Sequence, residues 1–158
     1  ISLLIKLNYM KLQVRKLQES DWDFLPSWWE AYKQEPIPRD FLPGAFQVNC
    51  QCNGEVEKRE GLGGFIVCKG NDPIAAMWLY MTNSKTAIPA VVISDKSYKD
   101  TDRSDALQLL LDFTTDFAED LGYKYAFAWA KPGVLLDKYK NAEYTVDKTP
   151  SYELILKY

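Results

Sequence analysis

The sequence contains no histidine. That absence removes Ser-His and Cys-His nucleophile pairs, His-ligated zinc and imidazole acid–base chemistry together. Any proton transfer must run through Asp, Glu, Tyr, Lys, Cys or water. Cysteine is scarce too: Cys50, Cys52 and Cys68 are the full set. Cys50 and Cys52 stand too close in sequence to bridge each other comfortably, and three thiols make no disulfide framework. A Cys-x-Cys pair without further ligands in a suitable pattern gives no zinc site, so no metal is expected. Reduced thiols fit a cytoplasmic protein. No run approaches the roughly 18 consecutive apolar residues that span a bilayer, so no membrane is expected. The net charge is only −3, so no overall field recruits nucleic acid.

What is present is ordinary for a globular chain. The 158 residues are 47% hydrophobic and 14% aromatic, enough for one domain with one sizeable core. Residues 1–9 are short and apolar but lack a signal-peptide cleavage pattern. Met10 followed by KLQVRKL reads as a start, so residues 1–9 are expected to be an N-terminal extension, either foreign to the domain or an added edge strand, and 10–158 the domain. Alternation of Leu12 and Val14 predicts a first strand within 11–17. Ser20 is placed to cap a helix running through Trp22, Phe24, Leu25, Trp28, Trp29 and Tyr32. Trp28 and Trp29 are adjacent and cannot both point into one core, so one is expected inside and the other along a cleft. Residues 35–61, punctuated by Pro36, Pro38, Pro43, Gly44 and Gly54, form a loop-rich connector with a helical turn near 40–46.

Three strands follow, at 63–68, 74–82 and 87–93, with turns at 69–73 and 83–84. Pro89 lies in the third. Proline cannot donate to a ladder, so it belongs at an edge or a bulge. A polar loop then leads into a long amphipathic helix. Thr101 or Asp102 suits its cap, with Asp105 completing a loose capping pattern. Ala106, Leu110, Phe113, Phe117 and Leu121 share one helical face, and Gly122 suits the left-handed residue that closes it. A strand, a loop and a helix N-terminus in succession gather unpaired N–H groups and the positive end of a dipole, which is where anions bind. After the helix the pattern predicts a buried strand at 123–130, a short helix at 134–141, and closing strands at 144–146 and 152–156.

This order resembles the GNAT N-acetyltransferase superfamily from Met10 onward. The opening VRKLQESDWDFL is similar to that family's first strand and its acidic turn into the first helix. Residues 135–144 resemble the family's tyrosine-bearing helix, in which a Tyr is followed five residues later by an aromatic. Tyr139 and Tyr144 keep that spacing, and Glu143 stands where the family usually has Gly. The resemblance implies an α/β fold, with a mixed, mostly antiparallel central sheet flanked by helices and its fourth and fifth strands splayed. It implies acetyl-CoA as cosubstrate and acetyl transfer to an amine of a small molecule or a protein. Ile93 and Ser94 would supply pantetheine contacts on the opened strand edge. The pyrophosphate would fall to the loop 99–106, through Lys99, Thr101, Arg103, Ser104, Asp105 and Ala106. Tyr139 would protonate the departing thiolate. No motif names a general base; Tyr80 and Asp95 are candidates by their place near strand ends.

The loop departs from the family's pattern. That pattern is a basic or Gln residue, two others, Gly, any residue, then Gly or Ala. Anchored on Ala106, the corresponding residues here are Thr101, Ser104 and Ala106, with no glycine to let backbone approach phosphate closely. Asp95, Asp100, Asp102 and Asp105 also outnumber Lys96, Lys99 and Arg103, the wrong balance for a polyanion. Two other readings therefore stand beside the transferase. One is a retained fold without transferase chemistry, serving as an interaction module whose aromatic patch near Trp28 or Trp29 buries in a partner or a homodimer. The other is a relative that accepts a different acyl donor.

Overall fold

In the computed structural model, residues 12–48 and 58–158 are described. The expected extension at 1–9 and the residues Cys50 and Cys52 lie outside them. A five-stranded sheet is built from β1 (Leu12–Lys16), β4 (Gly64–Lys69), β5 (Asp72–Met81), β6 (Thr86–Ser94) and β7 (Tyr125–Ala126), side by side in that order. The pairings from β1 through β6 are antiparallel, and β6 pairs with β7 in parallel. A separate ribbon joins β2 (Phe46–Val48) to β3 (Lys58–Glu60). Among the described residues three α-helices flank the sheet: α1 (Leu25–Ala31), α2 (Arg103–Asp120) and α3 (Val134–Asn141). No helix among the described residues is long and apolar enough to cross a membrane.

The middle strands are apolar on both faces because both faces are covered. Successive residues of β5 go to opposite sides, as strand geometry requires. Ala75, Met77 and Leu79 join Phe65, Val67, Ala106, Leu110 and Leu111 on the α2 side. Ala76 and Trp78 join Ile66, Cys68, Leu25, Trp28 and Trp29 on the α1 side. Burial pushes the Cys68 thiol above its usual range, as befits a packed, inert side chain. Gly63, at φ +73°, is where the 43–44 loop crosses: any Cβ there would collide with the carbonyl oxygens of Pro43 and Gly44.

The first helix differs from expectation. Ser20 caps nothing; Glu19–Asp23 forms a 3-10 turn, and α1 begins only at Leu25. The reason is Asp21. Its buried carboxylate accepts the Gln18 N–H at 2.8 Å and both arms of the Arg15 guanidinium at 2.7 and 2.8 Å, which fixes a tight turn before the helix. Trp28 and Trp29 are both buried, at 5% and 3% exposure, so neither lines an open cleft. A helix of only seven residues is overlaid from both sides by its flanking chain. Trp29 stacks on Trp78 with ring centroids 5.9 Å apart, while Trp28 packs on Phe24 at 5.2 Å. The helical turn expected near 40–46 is a 3-10 turn at Arg39–Phe41.

The buried stripe of α2 is Ala106, Leu110, Leu111, Thr114 and Ala118. Phe113 and Leu121, expected on that stripe, are exposed, and Phe117 is half-buried. The stripe can rotate toward Thr114 because that hydroxyl bonds the Leu110 carbonyl at 2.8 Å and needs no water. Phe113 and Phe117 still reach the ring of Phe65, at 5.1 and 4.8 Å. Gly122 has φ +94° and closes the helix as expected.

The largest departure comes after α2. The buried strand expected at 123–130 is a strand only at Tyr125–Ala126, and Tyr125, Phe127 and Trp129 are exposed. The closing strands expected at 144–146 and 152–156 are not formed. A segment becomes a strand by pairing. The last bond from this stretch to β6 is Phe127 N–H to the Ala87 carbonyl, at 2.9 Å, and among the described residues β7 has no other neighbour in the sheet.

The Arg15–Asp21 bridge gives a stability prediction. Burial alone would raise the Asp21 carboxyl, but the Arg15 guanidinium and the Gln18 N–H more than offset it and hold the carboxyl below its usual range. A depressed folded-state value stabilises the fold above the ordinary carboxylate pKa and loses that contribution as pH falls through the folded value. Arg15→Ala should therefore cost about 2 kcal/mol at neutral pH in urea denaturation. The gap to wild type should narrow as pH falls below about 4. A gap that stays constant into acid would show that Asp21 is not the group responsible.

Candidate active site

The site begins where β6 loses its partner. The pair registers Thr86 with Tyr125 and Ala87 with Ala126, and ends there, although β6 continues to Ser94. Because the Ala87 carbonyl faces β7, the Pro89 carbonyl two residues on faces the same, now open, side. Proline's missing donor costs nothing at a point where no neighbour strand waits for it. On the other side β6 bulges. Trp78 pairs with Ala90 but Ala76 with Ile93, so Val91 and Val92 together oppose Met77. Val91 sits at φ +59°, a conformation that a β-branched residue rarely adopts.

Tyr139 of α3 fills the opening. It is 3% exposed, and its hydroxyl donates to the Pro89 carbonyl at 2.8 Å. Its ring meets Tyr144 edge-on at 5.0 Å, and the Tyr144 hydroxyl shares a 2.9 Å bond with that of Thr115. The five-residue spacing thus brings the two rings together across the end of the helix. Burial, and then the neighbouring Tyr144, push the Tyr139 phenol well above its ordinary range. A phenol shifted that way stays in its neutral, proton-bearing form.

The first turn of α2 lies beyond the end of β6. Asp102 occupies the cap position, but its side chain does not cap. The carboxylate turns inward instead, accepting the Tyr98 hydroxyl at 2.7 Å and pairing through Oδ2 with the Lys69 ammonium at 2.8 Å. Burial would raise this carboxyl; the bonds from Lys69 and Tyr98 outweigh it and leave it lowered. Burial and then the Asp102 carboxylate drive the Tyr98 phenol upward. Arg103 donates to the carbonyls of Asp95 and Tyr98, to the Ser94 hydroxyl at 2.6 Å and to the Tyr32 hydroxyl at 3.0 Å. It ties together the end of β6, the following loop and the end of α1. Lys138, beside Tyr139 on α3, is 7% exposed and donates to the Ser104 hydroxyl at 2.7 Å. Among the described residues neither Arg103 nor Lys138 pairs with a carboxylate.

The residues proposed from sequence are therefore distributed unevenly. Ser94 and Arg103 meet directly. Ser104 belongs to the same helical turn and holds Lys138. The Ile93 side chain packs in the core on the α1 side and Ala106 in the core on the α2 side. Lys99, Thr101 and Asp105 are exposed. The two base candidates are committed elsewhere. Tyr80 donates to the Phe41 carbonyl at 3.0 Å, with burial raising its phenol. Asp95 accepts the N–H and hydroxyl of Ser97 in a local turn. Lys138 and Lys69 were not legible from sequence. Each comes from an element remote from the loop, and the sole signal for Lys138 was its place next to Tyr139.

No protein-family model matches the sequence, and no curated protein sequence matches it. Solved structures do match. An aminoglycoside acetyltransferase from an uncultured soil metagenomic sample superposes with a TM-score of 0.59 at 14% identity, over 94% of this chain and 98% of that one. The ribosomal-protein-S18-alanine N-acetyltransferase of Escherichia coli gives 0.58 at 12% identity, over 82% and 75%. A protein described as a transcriptional regulator from Bacillus halodurans C-125 gives 0.60 at 11% identity, over 92% and 99%. The chain has the fold of the GNAT N-acetyltransferases; identities this low are a likeness of fold alone.

Glu143, where that family usually carries glycine, has φ +69° and closes α3 in the left-handed conformation. A Cβ there costs on the order of 1–2 kcal/mol, partly offset by the extra freedom glycine gives the unfolded chain. Glu143→Gly should therefore stabilise the fold by about 0.5–1 kcal/mol, and calorimetry should show a melting point about 1–4 °C higher. A lower melting point would mean that the Glu143 side chain makes contacts worth more than its strain.

Proposed function

We propose that the chain is an acetyl-CoA-dependent N-acyltransferase acting on an amine of a small molecule or a protein. The observation that carries this reading is the parting of β6 from β7 beyond Ala87, with the Tyr139 hydroxyl set against the opened edge at Pro89. Acetyl-CoA, when bound, supplies a thioester whose acyl carbon an amine can attack and whose thiolate can leave. The open side of β6 offers main-chain groups that a pantetheine arm can pair with as an added strand would. The N-terminus of α2 offers unpaired N–H groups to phosphate. The chain lacks the glycines that usually shape such a loop, but it places the cations of Arg103 and Lys138 on that same turn, without carboxylate partners. A buried ammonium at the positive end of a helix dipole is unfavourable by itself and becomes favourable with an anion between them. Lys69 meanwhile neutralises Asp102, which removes one of the loop's four acids from the balance. The residues present thus fit the cofactor. Tyr139 holds the proton that the departing sulfur needs.

The acceptor is inferred from chemistry and company. Two of the similar structures are named as an aminoglycoside acetyltransferase and a ribosomal-protein-S18-alanine N-acetyltransferase. Those substrates are amines, and an amine is the nucleophile that attacks a thioester without needing a strong base. One observation favours the rival reading of a non-catalytic module: the donors of Arg103 are already met by protein oxygens.

Cofactor binding separates the two. Acetyl-CoA at about a hundred times its dissociation constant should raise the melting point by about 5–10 °C through linkage. No shift at millimolar cofactor would dismiss the transferase. Lys138→Met should weaken acetyl-CoA binding about tenfold, a loss typical of one charge-assisted contact. Tyr139→Phe should lower kcat about 100-fold while the acetyl-CoA dissociation constant stays within about twofold; unchanged turnover would remove Tyr139 from the chemistry.

A further inference from the structure

Asp102 directly precedes α2 and is of the type that most readily caps a helix, yet its side chain caps nothing. The residue is 4% exposed. Its backbone is a turn, with φ −85° and ψ 3°, where a capping residue is ordinarily extended. Two groups from outside the helix hold it there. The ammonium of Lys69, the last residue of β4, lies 2.8 Å from Oδ2, and the Tyr98 hydroxyl donates to Oδ1 at 2.7 Å. The same ammonium reaches the exposed carboxylate of Asp100, at 3.6 Å.

The consequence falls on two main-chain groups. A capping side chain accepts from the second or third helical N–H, which here belong to Ser104 and Asp105. Among the described residues neither of these meets an acceptor. The N–H groups on either side do: that of Arg103 bonds the Asp100 carbonyl at 3.2 Å, and that of Ala106 bonds the Asp102 carbonyl at 2.9 Å. A second observation points the same way. Lys138 is 7% exposed and aims its ammonium at the Ser104 hydroxyl of that very turn, with no carboxylate partner among the described residues. Open amides, a buried ammonium and a withdrawn carboxylate leave this turn arranged for a negatively charged guest.

We infer that Lys69 and Asp102 form a positioning pair for the diphosphate of the acyl donor, holding the carboxylate off the Ser104 and Asp105 amides so that phosphate can take them. The inference rests on the transferase reading above. Lys69 does not touch the cofactor; it acts through Asp102. Without the ammonium, the carboxylate gains most by turning to those two N–H groups, where the positive end of the helix dipole also favours it. It then occupies the amides and repels phosphate. A helix that caps itself is more stable alone and a poorer anion site.

Calorimetry with acetyl-CoA on the full chain tests this. Lys69→Met should weaken binding about tenfold, because a capping bond must break before phosphate enters. Adding Asp102→Ala, which can neither cap nor repel, should restore affinity to within about twofold of wild type. Adding Asp102→Ser instead supplies a neutral residue that caps. That chain should bind about tenfold more weakly than its Ala counterpart, yet melt about 2–4 °C higher without acetyl-CoA. A pair with a purely structural role would not set stability against affinity in this way. Both double variants lack the buried carboxylate, so their comparison stands even where Lys69→Met alone fails to fold. Equal affinities of the two double variants overturn the positioning role, as does a folded Lys69→Met chain that binds like wild type. A wild-type chain that binds no acetyl-CoA at millimolar concentration overturns the transferase reading itself, and the role of this pair with it.

Discussion

The structure turns on the unequal pairing of β6. On one side the strand is bonded to β5 from Ala87 to Ser94, with a bulge at Val91. On the other it meets β7 at two positions and then runs on without a paired strand, with Tyr139 set against it. Exposed edge groups inside a fold are costly unless something satisfies them. Here Pro89 removes one donor, and the Tyr139 hydroxyl satisfies the carbonyl that remains. The positive φ of Val91 marks where the strand is bent to keep that edge apart, and such strain persists only where the surroundings over-determine it. The packed Trp78 and Met77 opposite, both fully buried, provide that constraint.

Charge at the mouth of the opening follows a long-range logic. Counted along the loop, acids outnumber bases. Counted in space, Lys69 arrives from β4 to pair with Asp102, and Lys138 arrives from α3 to meet Ser104. The same exchange explains why Asp102 does not cap α2: a carboxylate paired with an ammonium inside the protein has more to gain there than from a backbone N–H at a solvated helix end. Arg103 then becomes the clamp that holds the loop after β6 against the helix, through two carbonyls and two hydroxyls. Without glycine in this loop every residue carries a Cβ, which limits how closely backbone can approach an anion. The side-chain cations Arg103 and Lys138 stand at that turn instead.

How much of this was legible depended on the range of the interaction. The alternation of β5 and the bounds of α3 were plain, because local patterns set them. Pro89 correctly marked an irregular strand, and the odd Glu143 marked a left-handed position. Tyr139 and Tyr144 were legible through a five-residue interval that the helix end converts into a ring contact. What failed involved partners distant in sequence, or side-chain bonds that a hydropathy pattern does not carry. The burial of both Trp28 and Trp29 depends on a loop closing over a short helix, and the rotation of the α2 stripe depends on Thr114 satisfying its own hydroxyl. Lys138 was invisible because nothing local distinguishes a buried lysine from a solvated one. Residues 152–156 carry a strand pattern, but no strand forms there.

The two openings in this fold share a wall. Residues 127–130 lie between the gap beside β6 and the outer edge, unpaired among the described residues, and are joined to the sheet by few main-chain bonds. A segment held that way opens locally at low free-energy cost, however well the core beneath it is packed. Ala128 and Ala130 anchor it by small contacts on one face only. A site whose one side is β6, braced along its length, and whose other side is this thin strand would be wider or narrower according to what lies on the strand's far edge.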